Sequence, residues 1–197
     1  MSNRIKLRYA APMIAVIVLV GGFVIYRSFA SGIPHCARGT INLGFEIAFK
    51  DGKGYKTRLC RISAFKSTGS EDGGSVRVSS GASGNWLRLY NDARKAGITL
   101  VADSSFRSHK KQTELYNCYT SGRCKNYTAK PGYSNHQRGV AIDIDIVPGP
   151  NNDPSLDTCR NNPNVYPVFK WLNTNGYKYN RRANISTECW HWSDTGK

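Results

Sequence analysis

Two segments far apart in the chain restrict its fold more than any other feature: residues 134–145, SNHQRGVAIDID, and residues 188–192, ECWHW. In GVAIDID the side chains alternate, so Ala141, Asp143 and Asp145 share one face of a strand while Val140, Ile142 and Ile144 share the other. A strand with one dry face and two carboxylates on its opposite face needs a partner element that completes a polar site. The ECWHW segment supplies one, because it brings His191 and Glu188 toward His136 and Asp143. Two imidazoles and a carboxylate, with one position left to water, suit catalytic zinc. A second carboxylate that does not bind the ion can then take the water's proton. On an ideal strand Glu188 and His191 point to opposite faces, so the chain must bulge there or the strand must begin after Glu188.

The N-terminus reads differently. Residues 10–26 carry no charge, and they lie between Arg4, Lys6, Arg8 and Arg27. As a helix this run is about 26 Å long, at the short end of what spans a bilayer. The basic leader would hold the N-terminus in the cytoplasm and send the rest outward. The expectation is one transmembrane helix that keeps the domain on the cell membrane, with cleavage after Ala30 and secretion as the alternative.

All six cysteines, Cys36, Cys60, Cys118, Cys124, Cys159 and Cys189, lie beyond this run. An even count in an exported domain predicts disulfides. Nearness in sequence favours Cys118–Cys124, and Cys36–Cys60 with Cys159–Cys189 would complete the set. Of the net charge of +15, the first 30 residues account for four basic groups and no acidic ones, leaving +11 on the remainder. Such a charge favours polyanions. Nucleic acid is not among the expected partners, since the basic residues are scattered and no basic helix or aromatic–basic motif groups them.

Along the exported part, residues 40–49 and 55–65 alternate apolar and polar around Asp51-Gly52-Lys53-Gly54, which predicts a β-hairpin. Residues 67–84 hold six Ser and five Gly and read as a linker or mobile loop, with a short strand at residues 76–78 as an option. Helices are predicted over 85–96, 108–119 with Ser108 as N-cap, and 165–175. Strands are predicted over 98–102, 139–147 and 188–193. The division is residues 1–30 as leader and anchor, 31–84 as hairpin and linker, and 85–197 as the site-bearing domain. The fold class is α+β, a small antiparallel sheet with flanking helices.

The pattern SxHxxGxAxD followed by ExWH resembles the zinc D-alanyl-D-alanine carboxypeptidases and dipeptidases, the family that includes the vancomycin-resistance D,D-peptidases. The segment SSFRS at 104–108, Gln112, Leu115-Tyr116 and the run YTAKPGYSNHQ are similar as well. The resemblance covers residues 85–192 and implies a D,D-peptidase or hedgehog-like fold. It also implies Zn2+ on His136, Asp143 and His191, Glu188 as general base, and Arg107 steadying the scissile carbonyl and its oxyanion. Ser134 and Gln112 would lie against the substrate, a peptidoglycan stem peptide ending in D-Ala-D-Ala, and the enzyme would act as a monomer. An endopeptidase of the same wall, and a non-catalytic wall-binding module that keeps the zinc scaffold, are the alternatives. His35 and His109 are expected to be structural, and Trp190 and Trp192 to pack around the site.

Overall fold

The computed structural model describes residues 15–20, 23–28, 32–125, 127–145, 167–183 and 188–195. It divides into two compact units, Met1–Gly32 and Ile33–Lys197. Within the first, β1 (Ala15–Val20) and β2 (Phe23–Ser28) form an antiparallel pair running from Ala15↔Ser28 to Val20↔Phe23. This corrects the expected membrane helix. AVIVLV and FVIY are rich in β-branched and aromatic residues, and the Gly21-Gly22 between them is a strong hairpin signal. Among the described residues no helix is long and apolar enough to cross a membrane. Residues 10–14, 21 and 22 of the apolar run lie outside the described residues.

The second unit holds two antiparallel three-stranded sheets. The first has the order β3 (Ile41–Lys50), β4 (Lys53–Lys66), β5 (Ser75–Ser79). Asp51 (φ 51°) and Gly52 (φ 77°) make the reversal between β3 and β4. Two successive positive φ angles match the twist of the flanking strands, which is why an Asp-Gly pair sits there. The segment expected to be a linker instead carries β5 and the first turn of α1 (Ser80–Lys95). Its small residues allow close packing. Ala82 and Ser83 are buried, and Ser83 Oγ donates to Ser80 O at 2.8 Å while accepting from Ala37 N at 3.0 Å. Trp86, Leu89 and Ala93 of α1 then pack with Ile62, Phe65, Val76 and Val78 of the sheet in one core.

The second sheet has the order β6 (Val101–Ser104), β7 (Ile142–Asp145), β8 (His191–Trp192). β6 starts three residues later than predicted. Gly97 turns out of α1 at φ 75°, and Ile98 N still donates to Ala93 O, so the chain is leaving the helix there. β7 is shorter than predicted at its start, because Gly139 (φ 68°) closes a turn before it. Ile142 and Ile144 enter the core, as the alternation requires. Helices α2 (His109–Thr120) and α3 (Pro167–Asn175) lie close to their predicted places, and a 3-10 turn at Gly176–Tyr179 follows α3. Ser108 caps α2, its side chain accepting from Lys111 N at 3.2 Å.

Two disulfides form, Cys118–Cys124 as nearness in sequence suggested and Cys36–Cys60 as one of the pairs that would complete the set. Cys189 is disulfide-bonded as well, while Cys159 lies outside the described residues. His35 meets Arg58, and the His109 ring packs at a tilt against Phe49 with centroids 4.4 Å apart.

Candidate metal centre and cleft

The donors come from three pieces of backbone that the second sheet brings together. Asp143 pairs with His191 across β7 and β8, and directly opposed residues of an antiparallel pair share a face. A turn before β8 settles the question of Glu188. His191 N donates to Glu188 O at 3.0 Å with Cys189 and Trp190 between them, so the strand begins only at His191. Glu188 and His191 therefore line the same cleft. The predicted strand over 188–193 was too long, because a period-2 reading cannot register a tight turn inside a five-residue motif.

His136 arrives on a loop between α2 and β7, and backbone bonds secure it: Gln137 N to Ser134 O, Gly139 N to His136 O, and Arg107 N to His136 O. Its ring Nδ1 lies 2.8 Å from Ser105 O. A carbonyl oxygen can only accept, so Nδ1 carries the hydrogen and Nε2 presents its lone pair to the site. Behind Ser105 stands a buried carboxylate. Ser105 Oγ donates to Asp72 Oδ1 at 2.6 Å, Ser67 Oγ donates to Asp72 Oδ2 at 2.5 Å, and Arg77 Nε lies 3.6 Å from Asp72 Oδ1.

One donor atom from each of His136, Asp143 and His191 lies within 4.8 Å of the others. His136 Nε2 is 3.2 Å from Asp143 Oδ2 and 3.2 Å from His191 Nδ1, and His191 Nδ1 is 2.8 Å from Asp143 Oδ1. Tetrahedral zinc with ligand bonds of ~2.0 Å separates its ligands by about 3.3 Å, so the three side chains fit that ion in type and spacing. All three are buried. Burial alone would raise the pKa of Asp143, but His136 and His191 outweigh it and hold the carboxyl well below the usual carboxylate range. Burial pushes His136 below its ordinary value, which keeps the imidazole neutral and able to bind metal.

An open cleft of about 1100 Å³ extends from this cluster. Arg107 reaches into it, its guanidinium 3.8 Å from Asp143 Oδ2 and held by Gln112 Oε1 at 3.1 Å and Ser104 Oγ at 3.2 Å. Gln112 is fully buried and donates to Ala129 O at 2.6 Å. Both ends of its amide are thus engaged by protein, which makes it a support for Arg107. Ser134 lines the cleft, and its hydroxyl accepts from His136 N at 3.3 Å. Burial, with Asp143 acting in the same sense, pushes Glu188 above its ordinary value, while His191 and Arg107 oppose the shift. The structure thus gathers His136, Asp143, His191, Glu188, Arg107, Ser134 and Gln112 around one cleft. Asp145 stands on the same wall, and Trp192 is buried with Nε1 donating to Cys189 O at 3.0 Å.

Sequence reasoning missed Glu71, Asp72 and Ser105. Glu71 accepts from both Ser108 N (2.9 Å) and Ser108 Oγ (2.6 Å), and with Asp72 it brings the supposed linker into the cleft wall. A Ser/Gly-rich stretch hides such residues, since only the fold shows what they face.

Fold and site together define a small α+β protein with a His/Asp/His cluster built on an antiparallel sheet and the loop beside it. The family model described as VanY, D-alanyl-D-alanine carboxypeptidase, matches residues 75–197, and the chain belongs to this family. A D-alanyl-D-alanine carboxypeptidase of Enterococcus faecalis is 28% identical over 131 residues, covering 55% of this chain and 44% of that protein. The chain therefore spans under half of that relative's length. Among solved structures, the LdcB LD-carboxypeptidase shares the fold, with 20% identity, a TM-score of 0.50, and coverage of 91% of this chain and 83% of the other. VanYB in complex with D-alanine-D-alanine aligns at 23% identity and a TM-score of 0.44, over 64% of this chain and 74% of that one.

Proposed function

We propose that this protein is a zinc-dependent D,D-carboxypeptidase that removes the terminal D-Ala from peptidoglycan stem peptides outside the cytoplasm. One observation carries the reading: a buried His/Asp/His donor set opens onto a cleft that a carboxylate and a guanidinium also line. His136 and His191 would hold the ion through nitrogen and Asp143 through oxygen. Once bound, zinc would supply Lewis acidity at this position.

The chain's own groups do the rest. Glu188 takes the proton from water at the scissile carbonyl and delivers it to the departing amine, and its burial-raised pKa brings it nearer neutrality than an ordinary glutamate. Arg107 presents its planar guanidinium cation where negative charge develops on the carbonyl oxygen. Gln112 and Ser104 keep that guanidinium in place before substrate arrives. Ser134 orders the His136 loop and faces the substrate from it. The domain works as a monomer. Five disulfide-bonded cysteines, Cys36 with Cys60, Cys118 with Cys124, and Cys189, support an oxidising compartment.

The test is to incubate the refolded, zinc-loaded protein with a muramyl pentapeptide and follow products by mass spectrometry. Chelator-sensitive loss of one D-Ala is expected, and Glu188→Gln should keep zinc while losing at least 100-fold in turnover. Release of a larger fragment would replace the carboxypeptidase reading with an endopeptidase one. Turnover unchanged in Glu188→Gln would remove the glutamate from the mechanism.

A further inference from the structure

The β3–β4 hairpin precedes the family-matched residues 75–197, and its outer face has no role in the cleft. Phe45 pairs with Arg58, and Ile47 pairs with Lys56, so these four side chains share one face of the ribbon. Phe45 and Ile47 are each 51% exposed. Lys56 Nζ lies 4.2 Å from the centroid of the Phe45 ring, and the Arg58 guanidinium lies 5.0 Å from it. Residues 45, 47, 49, 54, 56 and 58 include no carboxylate, and Glu46 points to the opposite side.

We propose that this face of the hairpin docks on an anionic lipid surface. A soluble polyanion would satisfy Lys56 and Arg58 but give Phe45 and Ile47 nothing to enter. A bilayer interface takes both kinds, apolar side chains at the acyl boundary and cations among anionic headgroups. The charge is complementary over the whole domain, which keeps +11 of the chain's +15 after the four basic groups of its first 30 residues are set aside. The inner end of the hairpin is already committed. Phe49 N donates to Gln137 O and Gly52 N to Gly132 O, both at 3.1 Å, on the loop that carries His136. Docking of the outer face therefore fixes how the His136 loop stands relative to the lipid. The inference does not depend on which peptide bond the cleft hydrolyses.

The uncharged residues 10–26 offer lipid a second apolar surface, so the test needs a local reporter. Ile47→Cys carrying a polarity-sensitive fluorophore serves on the hairpin, with Thr174→Cys on α3 as the control position and near-UV circular dichroism to establish the fold. Vesicles of phosphatidylcholine with one quarter phosphatidylglycerol should shift the emission at position 47 to the blue and leave position 174 unchanged. The shift should weaken with salt. Lys56→Gln with Arg58→Gln should weaken the lipid dependence roughly 30-fold, about 5-fold for each cation. Aqueous emission at position 47 on vesicles that carry the protein would overturn the proposal. So would an equal shift on pure phosphatidylcholine, or the same shift with poly(glycerol phosphate) in place of lipid.

Discussion

The cleft has two walls that carry metal donors, and the chain holds them by different means. The His136 wall is a loop kept in place by hydrogen bonds. Ser105 O orients its ring, Asp72 stands behind Ser105, and the β3–β4 turn meets the loop at Gly132. The Asp143/His191 wall is sheet, with pairing register placing the donors and a disulfide at Cys189 fastening the turn that precedes His191. Hydrogen bonds fix direction at low cost in length, whereas register and a covalent staple fix position. The comparison implies that the first wall fails by losing ring orientation, and the second by losing the approach of Glu188 to the ion.

The largest effect should follow from breaking the staple. Cys189→Ala is expected to cost about 2–5 kcal/mol in urea unfolding. Because Glu188 lies one residue away, turnover should fall further than zinc affinity does, as competition with a chromophoric chelator would reveal. Zinc affinity falling as far as turnover would mean that the turn positions His191 as much as Glu188.

On the other wall, Gly139 closes the His136 loop at φ 68°, and a Cβ there would sit 2.7 Å from Ser79 N. Gly139→Ala should therefore cost about 2–3 kcal/mol from left-handed strain and backbone collision together, again read from urea unfolding. Asp72→Asn is gentler. An amide still accepts from one serine but meets the other with its N–H₂, so about 1–3 kcal/mol is at stake, and zinc should bind some 10–100-fold more weakly. An unaltered zinc constant in a folded Asp72→Asn protein would confine Asp72 to a structural role.

This contrast also explains what could be read from the chain in advance. Asp143, His191 and the Ile142/Ile144 face are legible because a strand converts sequence spacing directly into facing. His136, Arg107 and the Ser108 cap are legible as short motifs whose chemistry is local. Asp72 and Glu71 are not, because their partners Ser105 and Ser108 lie more than 30 residues away and no periodicity links them. The N-terminal run misled for another reason. Apolarity is shared by membrane helices and strands, and the Val/Ile content with Gly21-Gly22 is what separates the two. Glu188 was uncertain only while ECWHW was read as one strand, and the turn at Cys189-Trp190 removes the conflict.

The smallest effect bears on electrostatics of the sheet wall. Asp103 of β6 stands at the cleft edge, and burial pushes its pKa above the ordinary 3.8, with Asp143 and Asp145 adding to the rise and Arg107 opposing it. A carboxyl whose pKa is raised by folding favours the native state below the ordinary value and loses that contribution as pH climbs through the raised one. At neutral pH the charged side chain is therefore a net cost that Asn lacks. Solvent on its exposed side screens the neighbouring acids, so the effect is small. Metal-free Asp103→Asn should melt roughly 1–2 °C above the parent protein at pH 7, with the difference vanishing below about pH 4. A difference that persists at low pH would assign the effect to packing or hydrogen bonding at Thr68, and would leave the sheet wall governed by register alone.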